Sequence, residues 1–319
     1  ARSRRLSSPL RAQPVRPAMA LHPLIAELLA SLPAPPAGPI DPVALRAADE
    51  SHVPPLADRI PVARVADAVA DGVPVRIYTP TDSPIHGLAV YFHGGAFFLG
   101  SLDTHDHVAR SFANATGLTV ISVGYRLAPE HAFPAGLDDC YSVVRWAVEH
   151  GASLGWNGGT LAVVGDSSGG NFAAAVAALA HDDGFDHITH QVLFYPSLDL
   201  DFDEARYPSL RENAVGYGLE TAGLRPFNSF YLDSGANPAD PRVSPIKRGD
   251  LSGLPPALIL TGQYDPLRDE GELYGELLHR AGVSATVHRF DGAGHGFVQH
   301  FSWIPEYHRA YDETAAFLS

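Results

Sequence analysis

The 319-residue sequence predicts an α/β fold: a mostly parallel central sheet flanked by helices, with a helical cap. From about residue 60 onward, short apolar runs of strand length alternate with longer segments of helical character. These runs are continuously apolar, which is typical of strands buried on both faces. The stretch from Leu200 to Asp233 interrupts the alternation. Together with the Pro-rich N-terminal region, it is expected to form the cap.

The elements follow in chain order. Ala20 to Leu32 predicts an amphipathic helix, and residues 62–69 and 74–78 predict a strand pair joined at Asp71-Gly72, a dipeptide typical of two-residue hairpins. The remaining strands are expected at 88–92, 118–123, 161–164, 191–195, 256–260 and 285–290, and the remaining helices at 104–115, 137–150, 169–180, 271–281 and 306–318. Repeated βα units of this kind build a parallel sheet with helices on both faces.

Composition and charge exclude several classes of protein. The net charge is −14 and no basic stripe occurs, so we expect no nucleic-acid partner. The longest apolar runs fall short of the roughly 20 residues that a membrane-spanning helix needs. The single cysteine, Cys140, excludes an intrachain disulfide and a cysteine-based zinc cluster. We therefore expect a soluble, cytoplasmic protein, and leave open whether it forms a homodimer.

A candidate nucleophile lies between a predicted strand and a predicted helix. The strand 161–164 leads into Gly165-Asp-Ser-Ser-Gly169, and the next segment is helical. G-x-S-x-G in this context forces a sharp turn that exposes the central hydroxyl, and the helix N-terminus adds a positive dipole end beside it. We predict Ser167 as the nucleophile. Ser168 is the rival hydroxyl, but its backbone N–H is better placed than its side chain.

A second glycine-rich turn follows the strand at 88–92, in the sequence His93-Gly-Gly-Ala-Phe97. Acyl transfer needs backbone N–H donors aimed at the oxygen where negative charge develops, and adjacent glycines let the main chain approach that oxygen. The predicted oxyanion hole comprises Gly94, Gly95, Ala96 and Ser168, and we expect the N–H groups of Gly95, Ala96 and Ser168 to be its donors.

The base and its orienting acid are expected after the last strands. His295 lies in a loop after the strand at 285–290 and is the best placed of the 16 histidines. Asp265 follows the strand at 256–260, whereas the rival Asp269 falls in the first turn of the next helix, where an acid is explained by the helix dipole. The resulting chain order Ser, Asp, His is the order expected for an α/β-hydrolase.

Several stretches together resemble the hormone-sensitive-lipase-like branch of the α/β-hydrolases, the bacterial family IV esterases. The resemblance extends from about residue 19 to the C-terminus. The stretches that carry it are His93–Phe97, Tyr125-Arg-Leu-Ala-Pro-Glu130, Phe133-Pro134, Gly165-Asp-Ser-Ser-Gly-Gly-Asn171, Asp240-Pro-Arg-Val-Ser-Pro245, Asp265-Pro-Leu-Arg-Asp-Glu-Gly271 and His295-Gly-Phe297. It implies a carboxylic-ester hydrolase that needs no metal or cofactor and favours short or medium acyl chains. Family members mostly have a third glycine where Ala96 stands, so its methyl group is expected to disfavour bulky tertiary-alcohol esters.

The resemblance also suggests how the chain is organised. Residues 61–319 are expected to form the α/β-hydrolase catalytic domain with a cap insertion near 200–235, and residues 19–60 to form the N-terminal part of the cap. Residues 1–18 carry five arginines and no acid, and the only methionine is Met19. We interpret this segment as lying upstream of the natural start, with an organelle transit peptide as the alternative.

The remaining predictions concern side chains around the site. Phe97, Tyr195 and Tyr217 are candidates for binding the substrate, with Phe98 and Phe227 as further apolar candidates. Arg126 and Glu130 are interpreted as an ion pair or loop anchor. The sequence His105-Asp106-His107 lacks a clear third ligand, so we predict no metal.

We therefore predict a serine esterase that acts on a small-molecule ester through Ser167, His295 and Asp265. A ligand-binding receptor on the same scaffold is the first alternative, disfavoured because all three candidate residues are present. The second alternative is the same enzyme acting on an amide, lactone or carbamate.

Overall fold

The computed structural model describes residues 20–32, 38–81 and 87–319, so the segment 1–18 and Met19 lie outside the described residues. Its eight-stranded sheet has the order β1-β2-β4-β3-β5-β6-β7-β8. β1 is antiparallel to β2 and β2 to β4, whereas the other pairs are parallel. The strands are β1 (Arg64–Ala70), β2 (Val73–Thr79), β3 (Gly87–Phe92), β4 (Thr119–Val123), β5 (Thr160–Asp166), β6 (His190–Phe194), β7 (Ala257–Tyr264) and β8 (Ala285–Gly294). This architecture confirms the predicted fold class.

Helices cover both faces of this sheet. Those in the described part of the chain are α1 (Pro23–Ser31), α2 (Pro42–Glu50), α3 (Asp106–Thr116), α4 (Ala135–Glu149), α5 (Ser168–Asp182), α6 (Ser209–Glu212), α7 (Thr221–Leu232), α8 (Arg268–Arg280), α9 (Phe297–Phe301) and α10 (Pro305–Leu318). The sequence analysis set no bounds for α2, α6, α7 or α9; the first three lie in the segments that it predicted as a helical cap. None of the helices in the described ranges combines the length and the apolarity needed to cross a bilayer.

The predicted hairpin joins β1 and β2 directly. Ala70 pairs with Val73, so Asp71 and Gly72 form a two-residue turn. Their φ angles are 50° and 82°, the left-handed conformations that this kind of hairpin turn requires. Glycine adopts such a φ angle without steric cost, which explains the Asp-Gly dipeptide.

The hydrophobic core lies on both faces of the central strands. Alternate residues of β3 point to opposite sides: Leu88, Val90 and Phe92 pack in one cluster, and Ala89 and Tyr91 in the other. The first cluster also holds buried side chains of α4 and α5, and the second holds those of α3 and α10. Because both faces are covered, the inner strands such as β3 and β4 are buried along their whole length, as the continuous apolar runs in the sequence indicated.

The last two strands extend further than the sequence predicted. β7 continues to Tyr264 and β8 to Gly294, with a register shift between Gly262 and Tyr264. A Cβ atom on Gly262 would lie 2.8 Å from the Gly294 carbonyl oxygen, so glycine permits this close pairing. As a result, Asp265 and His295 follow directly on strand ends at the same edge of the sheet.

Candidate active site

Ser167 occupies a sharp turn between β5 and α5. Its φ angle is 55°, an unfavourable value for a residue with a side chain. The turn requires two close backbone approaches: a Cβ on Gly165 would lie 2.1 Å from the Gly169 carbonyl oxygen, and one on Gly169 would lie 1.9 Å from that of Phe92. The Ser167 N–H donates to the Phe194 carbonyl oxygen at 2.9 Å. The two glycines of the motif are therefore needed to form the turn.

The structure brings together the three side chains that the sequence singled out. His295 Nε2 lies 2.8 Å from Ser167 Oγ, and His295 Nδ1 lies 2.7 Å from Asp265 Oδ2. Asp265 is fully buried, and its Oδ1 accepts a hydrogen bond from the Leu267 N–H at 2.8 Å. That second bond fixes the carboxylate, so that only Oδ2 faces the imidazole.

The rival acid has a different role. Asp269 Oδ2 accepts a hydrogen bond from the Ser209 N–H at 2.7 Å, and Asp269 Oδ1 lies 2.9 Å from Arg268 Nε. Asp269 thus joins α6 to the first turn of α8. It therefore does not orient the imidazole, and His295 contacts Asp265 instead.

The glycine-rich loop after β3 presents free N–H groups. Gly95, Ala96 and Phe97 all have positive φ angles, of 125°, 49° and 66°. Among the described residues, no acceptor binds the N–H groups of Gly95 and Ala96, and the Ser168 N–H is the first of α5, where helical N–H groups have no partner within the helix. These three donors are therefore available to a ligand beside Ser167.

The prediction for Gly94 requires correction. Its N–H donates to Asp166 Oδ1 at 2.9 Å, so it is not available to an oxyanion. A Cβ on this residue would lie 2.6 Å from Asp166 Oδ2. Gly94 is thus a glycine because the loop packs directly on Asp166.

Asp166 holds the loop through a hydrogen bond to its backbone, a role that no local sequence signal indicated. Besides Gly94, its Oδ1 accepts a hydrogen bond from the Tyr91 hydroxyl at 2.6 Å. Burial alone would raise the pKa of Asp166, but the neighbouring His105 and the bond from Tyr91 outweigh it, so the pKa lies below its ordinary value. The group is therefore a carboxylate, which accepts hydrogen bonds more strongly than a neutral acid does.

His93, the first residue of the loop, is a structural residue. Its ring is buried and stacks on Tyr125 with centroids 4.3 Å apart. Burial and the nearby His105 lower the pKa of His93 to about 3, so the ring is neutral. The Tyr125 hydroxyl donates to the His93 carbonyl oxygen at 2.7 Å, which fixes the start of the loop.

A cavity of about 780 Å³ opens beside Ser167, His295 and the loop. Its wall is mainly apolar, and helices from both parts of the predicted cap contribute to it. The apolar side chains include Ile25, Leu28 and Leu29 of α1, Leu224 and Phe227 of α7, and Phe98 of the loop.

Of the three predicted substrate-binding aromatics, two line this cavity. The Tyr195 ring lies 4.9 Å from that of His295, and Tyr217 stacks on Tyr264 at 4.6 Å. The prediction for Phe97 is wrong: its buried ring stacks on Tyr231 with centroids 3.9 Å apart. The loop directs the Phe97 side chain into the core, and the next residue, Phe98, lines the cavity.

The predicted pair of Arg126 and Glu130 does not form. Arg126 pairs with Asp139 of α4 at 2.8 Å, and Glu130 binds both terminal nitrogens of Arg46 of α2, at 2.8 and 2.9 Å. Each residue still anchors the segment between β4 and α4, but through a partner distant in sequence. Arg46 also donates to the Phe98 carbonyl oxygen at 2.7 Å.

The histidines of the His105-Asp106-His107 sequence diverge. His107 Nε2 lies 2.6 Å from the Gln299 carbonyl oxygen, and Asp106 pairs with Arg110 at 2.6 Å. In the residues that the structure covers, no group of three or more His, Cys, Asp or Glu side chains could hold a metal ion.

A buried acid lies on the first turn of α8. Glu270 Oε1 accepts hydrogen bonds from the N–H groups of Leu198, at 2.6 Å, and Asp199, at 3.2 Å. Burial raises the pKa of Glu270 well above its ordinary value. Glu270 therefore holds the segment after β6, whose Ser197 N–H donates to the Ser167 carbonyl oxygen at 3.1 Å.

Several known proteins with similar sequences are named as esterases. A family model described as the alpha/beta hydrolase fold matches residues 89–299. Esterase LipI of Mycobacterium tuberculosis is 42% identical over 254 residues, which are 77% of this chain and 78% of that protein. Carboxylesterase NlhH of the same organism is 42% identical over 246 residues, 75% of each protein.

Solved structures that resemble this chain also include esterases. A hyperthermophilic esterase from Pyrobaculum calidifontis has a TM-score of 0.85 and 40% identity, over 94% of this chain and 98% of that one. A thermostable carboxylesterase cloned from a metagenomic library has a TM-score of 0.81 and 36% identity, over 88% of this chain and 97% of that one. The chain therefore belongs to the α/β-hydrolase family, in its hormone-sensitive-lipase-like branch of carboxylic-ester hydrolases.

Proposed function

We propose that this carboxylesterase hydrolyses short- to medium-chain acyl esters through a Ser167–His295–Asp265 triad and an acyl-enzyme intermediate. The observation that carries the proposal is the continuous chain of contacts, 2.7 Å from Asp265 to His295 and 2.8 Å from His295 to Ser167, beside an apolar cavity. These are the distances that a nucleophile and its oriented base require.

Acylation begins with attack of Ser167 Oγ on the ester carbonyl carbon. His295 Nε2 accepts the hydroxyl proton as the new C–O bond forms, and then gives it to the leaving alcohol as the old C–O bond breaks. The Asp265 carboxylate accepts a hydrogen bond from the Nδ1–H of His295, which leaves Nε2 free to accept the serine proton. It also stabilises the imidazolium that exists between these two steps. Because Asp265 is fully buried, water does not weaken that interaction.

The tetrahedral intermediate carries its negative charge on the former carbonyl oxygen. We assign its donors to the N–H groups of Gly95, Ala96 and Ser168, which face no acceptor in the described structure. Each such donor contributes roughly a hundredfold or more in rate. In deacylation, His295 accepts a proton from a water molecule as the water oxygen attacks the acyl carbon. The bond between that carbon and Ser167 Oγ then breaks, and His295 returns the proton to Oγ as the acid is released.

The cavity supports the proposed range of acyl chains. Its volume of about 780 Å³ falls within the usual range for small-molecule sites. Contributions from α1 and α7 support the proposal that the segments 19–60 and 200–235 form a cap over the catalytic domain. A net charge of −14 further favours a small-molecule ester over nucleic acid as the partner.

The test is hydrolysis of p-nitrophenyl esters from acetate to palmitate by the wild type, Ser167→Ala and Ser168→Ala. We expect a maximum at short or medium chains, loss of nearly all turnover in Ser167→Ala, and less than tenfold loss in Ser168→Ala, which keeps its backbone N–H. Equal activity of Ser167→Ala and the wild type would overturn the proposal. Matched anilide substrates test the amide alternative.

A further inference from the structure

The mainly apolar wall of the cavity includes three polar side chains that lie near one another. Asp49 near the end of α2, His52 after that helix, and His105 before α3 all line it. His105 and His52 are both close enough to Asp49 to influence its ionisation. None of these side chains takes part in the ester cleavage proposed above.

The Asp49 carboxylate has no partner within the described structure. It accepts no hydrogen bond and forms no ion pair there, although the residue is half-buried. The neighbouring acid, Glu50, lies outside the cavity lining and accepts a hydrogen bond from Ser101 Oγ. Burial raises the pKa of Asp49, as expected for an acid that leaves water without gaining a donor. A ligand that supplied a donor would offset this cost.

His105 gives an independent indication. Its ring is 1% exposed and its Nδ1 lies 3.0 Å from Thr104 Oγ1, but its Nε2 has no hydrogen-bond partner in the described structure. The nearest acid oxygen, Asp166 Oδ2, is 3.6 Å away and also lacks a hydrogen bond. Buried polar atoms without partners are uncommon in proteins. Here they belong to side chains that line the substrate cavity.

We propose that Asp49, His52 and His105, the Asp49 subsite, bind a hydroxyl group of the ester substrate. A hydroxyl group can donate to the Asp49 carboxylate and at the same time accept from an imidazole N–H. A methyl group offers neither interaction, and an ammonium group offers no acceptor to the imidazoles. The inference rests on the proposed function and narrows its substrate class to esters that carry a hydroxyl group away from the scissile bond.

The hydroxyl group could belong to the acyl chain or to the alcohol, and two pairs of substrates separate these cases. The acyl pair is p-nitrophenyl 6-hydroxyhexanoate and p-nitrophenyl heptanoate. The alcohol pair is 6-hydroxyhexyl acetate and heptyl acetate, whose hydrolysis is measured by the release of acid. Within each pair the chains have the same number of heavy atoms and differ only in the terminal group.

The variants are Asp49→Leu, which removes the acceptor, and Asp49→Asn, which keeps the shape and one acceptor. Asp138→Leu is the matched control, because burial also raises the pKa of Asp138 but that residue lies on α4 outside the cavity lining. We expect the preference for the hydroxy ester, as a ratio of kcat/KM, to fall by about tenfold or more in Asp49→Leu in one of the two pairs. It should fall less in Asp49→Asn and stay unchanged in Asp138→Leu.

An unchanged preference in Asp49→Leu for both pairs, or an equal fall in Asp138→Leu, would overturn the subsite. A wild-type preference for the 6-aminohexanoate ester over the hydroxy ester would overturn its assignment to a hydroxyl group. Calorimetric binding of hexane-1,6-diol and heptan-1-ol to Ser167→Ala, with and without Asp49→Leu, tests the subsite without turnover. The two failures are distinguishable. If the proposed function is wrong, Ser167→Ala keeps its ester hydrolysis. If only the subsite is wrong, ester hydrolysis still depends on Ser167, but the preference for the hydroxy ester does not depend on Asp49.

Discussion

Replacing Asp265 by Asn is the sharpest test of the proposed triad, because the structure determines how the amide would lie. Asp265 Oδ1 accepts the Leu267 N–H at 2.8 Å, and only the carbonyl oxygen of an asparagine can keep that bond. The amide nitrogen is then directed at His295 Nδ1, where Oδ2 now lies at 2.7 Å. Since an amide N–H needs an acceptor, the imidazole must take the tautomer that carries its proton on Nε2.

That tautomer cannot accept the proton of Ser167. We expect kcat for p-nitrophenyl butyrate to fall roughly 10⁴-fold, the scale known for this substitution in serine hydrolases of another fold. The fall corresponds to a barrier higher by about 5 kcal/mol. KM should change little, because Asp265 is fully buried and does not line the cavity.

The control is Asp269→Asn, four residues further along the chain. Its carboxylate binds Ser209 and Arg268 rather than His295, so kcat should fall less than tenfold. Circular dichroism and thermal unfolding of both variants establish that each is folded. If Asp265→Asn kept more than a tenth of the wild-type kcat, or if Asp269→Asn lost as much, the assignment of the orienting acid would be wrong.

Three further predictions concern the loop, the turn and the buried acid. Ala96→Gly removes a methyl group from the proposed oxyanion hole, so turnover of tert-butyl acetate relative to ethyl acetate should rise several-fold; an unchanged ratio contradicts the crowding argument. Gly169→Ala places a Cβ atom 1.9 Å from the Phe92 carbonyl oxygen, so it should lower the free energy of unfolding, measured in urea, by about 3 kcal/mol or more. The control is Gly184→Ala, where nothing lies within 4 Å of the added Cβ but φ is 68°, and it should lower the free energy of unfolding by about 1 kcal/mol. Burial raises the pKa of folded Glu270, so the native state holds the proton of this group more tightly than the unfolded chain does. The free energy of unfolding should therefore fall as pH rises above 4.5, the ordinary pKa of the group. Glu270 contributes at most about 1.4 kcal/mol per pH unit to this fall. Glu270→Gln should flatten that dependence above pH 4.5, and equal slopes in the two proteins would show that Glu270 is not the cause.

Local signals located the strand ends that carry the site. The turn at Ser167 requires glycines on either side, and the hairpin at Asp71-Gly72 requires positive φ angles, so both are recognisable from a few adjacent residues. The positions of Asp265 and His295 followed from the strand order, because parallel strands end at a common edge of the sheet. The sequence placed those strand ends four residues too early, since it could not indicate the pairing that extends β7 and β8.

Partners distant in sequence could not be predicted in the same way. Arg126 and Glu130 are four residues apart, which suggested a pair, but their partners lie 13 residues away in α4 and 84 residues away in α2. The same limit applied to Asp49, whose contact with the cavity depends on how α2 packs on the body of the protein.

The sequence by itself determined the order of strands and helices, the turn that exposes Ser167 and the three side chains that meet there. These depend on hydrophobic periodicity and on backbone angles, which are properties of neighbouring residues. Only the tertiary structure decided that the Gly94 N–H is bound to Asp166, that Phe97 faces the core and Phe98 the cavity, and that an unpaired Asp49 lies in the cavity wall. The physical reason is that a hydrogen-bond partner, or the direction of a side chain from a loop, is fixed by groups that come together only when the chain has folded.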